Sequence, residues 1–257
     1  MDRPREPLPT RVEQTAPLPP GYDDALEAGL AALRLRLTPG ARAAIGAHVR
    51  LLLAWTTAIN LTAIRDPAAV ALEHVVDSLT AVPILRERGV DRFLDLGSGG
   101  GYPGLPIAAA LPAARAVLLE PIRKKSAFLS TVATAVGLGA TVQAAPVRAE
   151  ALAADARHRG QWPAVTARAV ASLGELVELA FPILEPGGML VAWKRGDLER
   201  EWAGGERAMA AMGGGTLELH PVEVPGLDGH CLVVATARDA APADYPRDPG
   251  VRKRQPW

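Results

Sequence analysis

The sequence predicts an α/β protein: a Rossmann-like sheet of seven strands whose last strand runs antiparallel, with an N-terminal helical extension. Three observations carry that prediction. From Val90 onward, short apolar runs alternate with amphipathic or Ala-rich stretches, the pattern of βα units and a parallel sheet. The first run, Phe93-Leu94-Asp95-Leu96, stops at Gly97-Ser98-Gly99-Gly100-Gly101, and Pro103 and Pro106 follow. A buried strand thus passes through a glycine turn into a helix N-terminus. The last two apolar runs are separated by Gly226-Leu227-Asp228-Gly229, too short for a crossover helix, so they form an antiparallel pair.

Taken in order, residues 1–21 are rich in Pro and Arg, lack an apolar core, and read as a disordered leader rather than a secretory signal. Residues 22–88 read as helices. Leu26, Leu30, Leu33 and Leu37 form one stripe, broken at Pro39-Gly40. Ile45, Val49, Leu52 and Ile59 mark a second helix ending near Asn60. Asp66-Pro67 supplies a cap and a first-turn proline for a third, through Val70, Val75, Leu79 and Val82. On it His74 and Asp77 share a face, which reads more readily as a polar helix edge than as a lid over a ligand site.

Residues 89–238 form the alternating unit. Strands are expected at 92–96, 116–120, 141–145, 164–167, 189–193, 216–224 and 231–236, with helices at 103–111, 122–136, 147–156, 173–184 and 198–212. Residues 239–257 read as a flexible basic tail. Five parallel strands closed by a sixth and an antiparallel seventh are the arrangement of class I S-adenosylmethionine (SAM)-dependent methyltransferases. Dinucleotide dehydrogenases usually finish the sheet in parallel.

Composition narrows the chemistry. With 49% apolar and only 4% aromatic residues, the core is built from Ala, Val and Leu. The one cysteine, Cys231, excludes an intramolecular disulfide and a multi-Cys zinc site, and its apolar setting reads as a packed strand thiol. The five histidines show no ligand spacing, so no metal is expected. No apolar run of ~18 residues is evident, so no membrane span is expected and the chain reads as cytoplasmic. The 28 basic and 28 acidic residues cancel, which argues mildly against a nucleic-acid binder on overall charge alone.

Two ligand patterns overlap in the glycine stretch. Gly99-x-Gly101-x-x-Gly104 fits the dinucleotide fingerprint, and Asp95-x-Gly97-x-Gly99-x-Gly101 fits the acidic, alternating-glycine form of SAM sites. The stretch alone leaves both open. In an open α/β sheet the ligand lies off the carboxyl ends of the strands. Glu120 ends the second strand about 20 residues after the glycines, where a carboxylate reaches a ribose diol or caps the next helix. Arg148-Ala149-Glu150 follows the third strand, where SAM enzymes meet the adenine edge. Arg168 ends the fourth and needs a carboxylate or phosphate partner. Lys194 ends the fifth. Arg123 and Lys124 open a helix, where cations oppose the helix dipole; phosphate contact is one reason to place them there. The terminal hairpin, and the lack of any hydride-transfer partner, favour SAM.

A set of ordered segments carries a resemblance. Asn60–Pro67, His74–Leu79, Asp95–Pro106, Arg123–Leu129, Arg148–Glu150, Arg168–Leu173, Lys194–Gly196 and Leu227–Gly229 together resemble the bacterial 16S rRNA guanine-N7 methyltransferase family (RsmG, or glucose-inhibited division protein B). The likeness covers roughly residues 45–237 and leaves out the leader and the tail. Trp193 and Arg195 depart from the family's usual Leu-Lys-Gly. The resemblance implies SAM as cofactor, contacted by Gly97, Tyr102, Ala149, Glu150 and Arg168, with Gly99, Gly101 and Glu120 as neighbours. It implies 16S rRNA or the small ribosomal subunit as partner and 7-methylguanosine in the decoding-region loop as product. No membrane or metal partner is implied, and a monomer is expected. Guanine N7 carries an in-plane lone pair and no proton, so no general base is required, and no catalytic residue is assigned. Arg123, Lys124, Arg168 and Lys194 are the candidate RNA or guanine contacts. The alternatives are a SAM-dependent methyltransferase acting on another substrate, or an NAD-dependent oxidoreductase.

Overall fold

The chain's computed structural model describes residues 7–196 and 198–257. Its sheet has the order β3-β2-β1-β4-β5-β7-β6. The strands are β1 (Arg92–Leu96), β2 (Arg115–Leu119), β3 (Val142–Ala145), β4 (Trp162–Arg168), β5 (Leu184–Arg195), β6 (Gly215–Pro221) and β7 (His230–Ala237). The first five are parallel, and β7 inserts antiparallel between β5 and β6. The expected fold class is therefore the one observed. The chain winds outward from β1 to β3, then returns to place β4 on the other side of β1. That reversal opens a crevice at the carboxyl ends of β1 and β4.

Alternation along the central strands feeds two apolar layers. Phe93 points into one with Val49, Leu52 and Phe128; Leu94 points into the other with Val165, Leu176 and Val177. The first layer packs under α1 (Pro20–Ala32), α2 (Pro39–Trp55), α6 (Gly104–Ala110) and α7 (Arg123–Ala135). The second packs under α8 (Ala149–Ala153), α9 (Leu173–Ala180) and α10 (Glu199–Ala211). The N-terminal helices thus share a core with the sheet.

Local sequence explains most helix starts. Thr38 Oγ1 accepts from the Ala41 N–H at 3.1 Å, so Pro39 opens α2. α1 ends at Ala32, before Leu33 and Leu37, and α2 ends at Trp55 rather than near Asn60. Asp66 Oδ2 accepts from the Ala69 N–H at 2.8 Å and caps α3 (Pro67–Val70). The helix continues through a π-wound segment, Ala71–Val76, into α4 (Asp77–Leu79), and α5 (Val82–Glu87) follows. By length and composition the run Pro67–Glu87 is sufficient to cross a membrane, contrary to the sequence reading. In the fold 61% of its apolar window is buried, so it serves as a core helix.

Both chain ends depart from expectation. Residues 7–19, read as disordered leader, lie along α2, while residues 1–6 fall outside the described residues. Trp55 Nε1 donates to the Pro9 carbonyl at 2.7 Å, and the Arg50 guanidinium donates to the carbonyls of Val12, Thr15 and Ala16. A Pro-rich segment with few internal partners is tied down by donors on a helix. The tail is likewise docked, through α11 (Pro249–Arg254). Glu178 on α9 is fully buried and accepts from Arg247 N, Nε and Nη2 and from Trp257 Nε1 at 2.6–2.9 Å. A buried carboxylate requires such donors. They hold it below the usual carboxylate range, against burial that pushes it up.

Candidate functional site

A cleft of about 280 Å³ opens at the carboxyl ends of the strands. Leu96 and Gly97 from the end of β1, Leu119 from β2, Val147 after β3, and Ala149 and Glu150 of α8 line it, with Arg252 of α11 facing them. Helix ends and strand ends converge here because each βα unit delivers its loop to the same edge of the sheet.

The glycine loop divides into two jobs. Gly99 takes φ +54°, and a Cβ there meets nothing closer than the Gly97 carbonyl at 3.8 Å, so its backbone stands open to a ligand. Gly101, at φ +94°, is packed instead: a Cβ there would lie 2.4 Å from Leu105 Cδ1 and 2.9 Å from His48 Nε2. Asp95 ties the loop to the next helix. Its Oδ1 accepts from Thr166 Oγ1 at 2.8 Å and its Oδ2 from the Gly104 N–H at 3.2 Å. Burial pushes this carboxyl up to about 6, against the hydrogen bonds that favour its charged form.

Glu120 is buried beside the cleft. It accepts from the Gly99 N–H at 3.1 Å and from the Ile122 N–H at 2.8 Å, joining the glycine loop to the entrance of α7. Two bonds leave a carboxylate with acceptor capacity for hydroxyls.

A second cluster lies beneath the loop. Tyr102 is 6% exposed, with its ring between those of His48 (4.6 Å between centroids) and His74 (4.8 Å). The Arg168 guanidinium sits 5.4 Å from the Tyr102 centroid. Its Nη1 donates to Asp77 Oδ2 at 2.8 Å and to the Glu73 carbonyl at 3.0 Å. Asp77 Oδ1 lies 3.0 Å from His230 Nδ1, and Trp193 Nε1 donates to the Asp77 carbonyl at 2.8 Å. His48 Nε2 donates to the Gly100 carbonyl at 2.7 Å, and His74 Nε2 lies 2.7 Å from Thr62 Oγ1. Burial lowers both imidazoles to about 4, and for His74 the Arg168 charge adds to the effect. Both are neutral at pH 7.

The structure sorts the sequence-predicted residues accordingly. Gly97, Ala149 and Glu150 line the cleft, and Gly99 and Glu120 meet beside it. Gly101, Tyr102 and Arg168 belong to the cluster beneath, and Arg168 finds its carboxylate within the protein. Lys194, read as an RNA contact, is committed elsewhere. Its Nζ lies 2.5 Å from Glu201 Oε2 and 2.9 Å from the Ala171 carbonyl, and the side chain is 8% exposed. Buried charge of that kind takes an internal partner. Arg123 and Lys124 are exposed at the start of α7, just past Pro121 of the cleft wall. Asp77 is not an exposed helix edge, since it is 2% exposed within the cluster, and His74 is half-buried beside it with its ring on Tyr102. Sequence reasoning missed His48, His230 and Arg252. Only His48 left a trace, three residues after Ile45 and four before Leu52 on the buried face of α2.

The cleft fits an adenosine-type group: apolar walls from Leu96, Leu119 and Val147 suit a base, Glu150 offers an acceptor in the wall, and Glu120 offers another beside it, next to Gly99. Among the described residues no group of three His, Cys, Asp or Glu is placed to hold a metal ion.

Known proteins agree with this architecture. A sequence model of the rRNA small subunit methyltransferase G family (GidB) matches residues 42–225. The ribosomal RNA small subunit methyltransferase G of Dehalococcoides mccartyi (strain CBDB1) is 37% identical over 229 residues, covering 89% of this chain and 97% of its own length. Its namesake in Deinococcus radiodurans is 41% identical over 207 residues, covering 80% of this chain and 81% of its own. In fold, an O-methyltransferase from Bacillus cereus, solved in complex with SAH, aligns at a TM-score of 0.52 and 15% identity, covering 74% of this chain and 90% of that one. With its sheet order, its glycine loop and the match across residues 42–225, this chain belongs to the rRNA small subunit methyltransferase G family.

Proposed function

We propose that this chain transfers a methyl group from SAM to N7 of a guanine in the decoding-region loop of 16S ribosomal RNA, acting as a monomer in the cytoplasm on the rRNA or the small subunit. One observation carries the choice of acceptor. The titratable groups beneath the loop are spent on one another: Asp77 on Arg168 and His230, and His74 on Thr62 and the Tyr102 ring. None of these is left free to take a proton from the substrate. The two groups of the cluster without a hydrogen-bond partner among the described residues, His48 Nδ1 and the Tyr102 hydroxyl, are buried out of its reach. A guanine N7 lone pair needs no base, whereas a hydroxyl or an exocyclic amine must lose a proton.

SAM, when bound, supplies a methyl group on a sulfonium, already electrophilic. The chain's residues then bind, orient and exclude water. Glu120 accepts from the ribose hydroxyls, and Ala149 and Glu150 meet the adenine edge. Gly97 and Gly99 let the ligand approach the backbone, with Gly101 supporting the loop from beneath. Tyr102 and Arg168 floor the crevice at the switch point, where Arg168 is fixed by Asp77 and the Glu73 carbonyl. Arg123 and Lys124 hold RNA phosphates at the mouth, contacts that position without reading sequence. Alignment of nucleophile, methyl carbon and sulfur in a partly desolvated site accounts for the rate gain.

Mapping N7-methylguanosine in 16S rRNA from a strain lacking the gene tests this. The modification is expected to vanish from one decoding-region position and to return on complementation. An unchanged map refutes the assignment.

A further inference from the structure

We infer that the C-terminal segment, residues 245–257, is a wall of the cofactor cleft, and that Arg252 is a positioning residue that sets Glu150 for recognition of an amino-bearing purine. This rests on reading the cleft as the SAM site.

The segment is built into the fold by specific groups. Glu178 on α9 takes four donors from Arg247 and Trp257. The Arg247 guanidinium also lies 4.4 Å from the Trp257 ring centroid. Gly174 on α9 leaves room for Trp257, because a Cβ there would fall 2.5 Å from Trp257 Cβ. Arg159, from the loop before β4, donates to the carbonyls of Tyr245 at 2.9 Å and Pro242 at 2.6 Å. These contacts come from separate elements and deliver one side chain, Arg252, to the cleft.

Arg252 is 7% exposed, deep burial for a guanidinium. Its Nη2 donates to Glu150 Oε1, its Nε to Glu175 Oε1 at 3.4 Å, and its Nη1 to the Arg247 carbonyl at 2.6 Å. Glu150 and Glu175 both line the cleft. Without a cation between them, two carboxylates would face one small cavity and repel each other and any electron-rich base edge. With Arg252 in place, Glu150 is held by one oxygen. Its Oε2 accepts no hydrogen bond from the described residues and remains available to a donor. An exocyclic amine, as on adenine C6, supplies that donor; a 6-oxo purine presents an acceptor instead and is disfavoured. The segment lies beyond the family match, which ends at residue 225.

Calorimetry on the full-length protein tests this with two probes, S-adenosylhomocysteine and S-inosylhomocysteine, which differ in the 6-amino and 6-oxo group. Wild type should prefer the amino compound. Arg252→Gln should weaken S-adenosylhomocysteine about tenfold, as loss of one charged hydrogen-bonded pair implies, and bring the two affinities toward equality. Affinity within about twofold of wild type overturns the inference. A weaker affinity with the preference intact also overturns it, because that marks a merely structural role. Should the variant fail to fold, hydrogen exchange on wild type decides. Amides of residues 245–257 should slow with S-adenosylhomocysteine bound, and unchanged exchange rejects the wall. If wild type binds neither probe, the SAM reading itself fails, a result distinct from an indifferent Arg252.

Discussion

Asp77 and Arg168, 91 residues apart, meet at 2.8 Å and lock the helical extension onto the end of β4. Arg168 leaves the sheet at the switch point, and Asp77 opens α4 directly after the π-wound segment, with His230 on its other oxygen. Because Asp77 is almost wholly buried, removing it strands a guanidinium. Asp77→Ala should therefore destabilise the fold by about 3–5 kcal/mol. Urea unfolding measures it. A loss below ~1 kcal/mol would mean that the pair is effectively solvated.

Gly99 and Gly101 should separate binding from folding. Gly99→Val places a branched residue in left-handed backbone, a strain of ~1–2 kcal/mol, but its Cβ meets no side chain. The fold should persist while calorimetry shows SAM binding abolished. Gly101→Ala drives a Cβ into Leu105 and His48 and should lose about 1–3 kcal/mol from overpacking alone. Wild-type SAM affinity in Gly99→Val would show that the cofactor is placed wrongly.

What was legible in the chain tracks the range of the interactions. The strands, the glycine turn and the terminal hairpin follow from local periodicity and turn chemistry, so their places hold to within a few residues for most elements. The strand-end rule also brings Gly97, Ala149 and Glu150 to one edge of the sheet, where they line the cleft. The partners of Arg168 and Lys194 were not legible, because burial decides whether a cation points outward or pairs inward. His230 reaches Asp77 across 153 residues, with no pattern to announce it. Leader and tail look unstructured because each lacks an apolar stripe. They are ordered instead by single donors and acceptors, such as Trp55 for Pro9 and Arg247 for Glu178.

Stability should rise with pH between about 4 and 6.5. His48 and His74 have folded values lowered from 6.5 to about 4, so the unfolded chain binds more protons in that window. Each contributes ~3 kcal/mol that appears as pH rises. Asp95 is raised from 3.8 to about 6, so the native state binds the extra proton, and ~3 kcal/mol is lost across nearly the same range. Two histidines outweigh one carboxylate, leaving a net gain of ~3 kcal/mol. Asp95→Asn removes the opposing contribution and should steepen the rise. Urea midpoints at pH 5 and 7 check this; wild-type stability that falls over the interval would contradict neutral burial of the imidazoles.

Arg123 and Lys124 should carry RNA affinity through charge, and Lys194 should not. Both α7 residues are exposed at the cleft mouth, whereas Lys194 Nζ is held by Glu201 and the Ala171 carbonyl. Each phosphate that goes unneutralised lowers the salt dependence of binding by roughly one counterion. The double variant Arg123→Ala, Lys124→Ala should weaken rRNA binding and reduce the slope of log K against log salt by about 1–2. Lys194→Met should leave that slope unchanged while lowering the unfolding midpoint, because Glu201 and the Ala171 carbonyl lose their partner. Titrations at several salt concentrations distinguish the two. An unaltered slope in the double variant, or a fall in Lys194→Met, would move the RNA face from the start of α7 toward the end of β5.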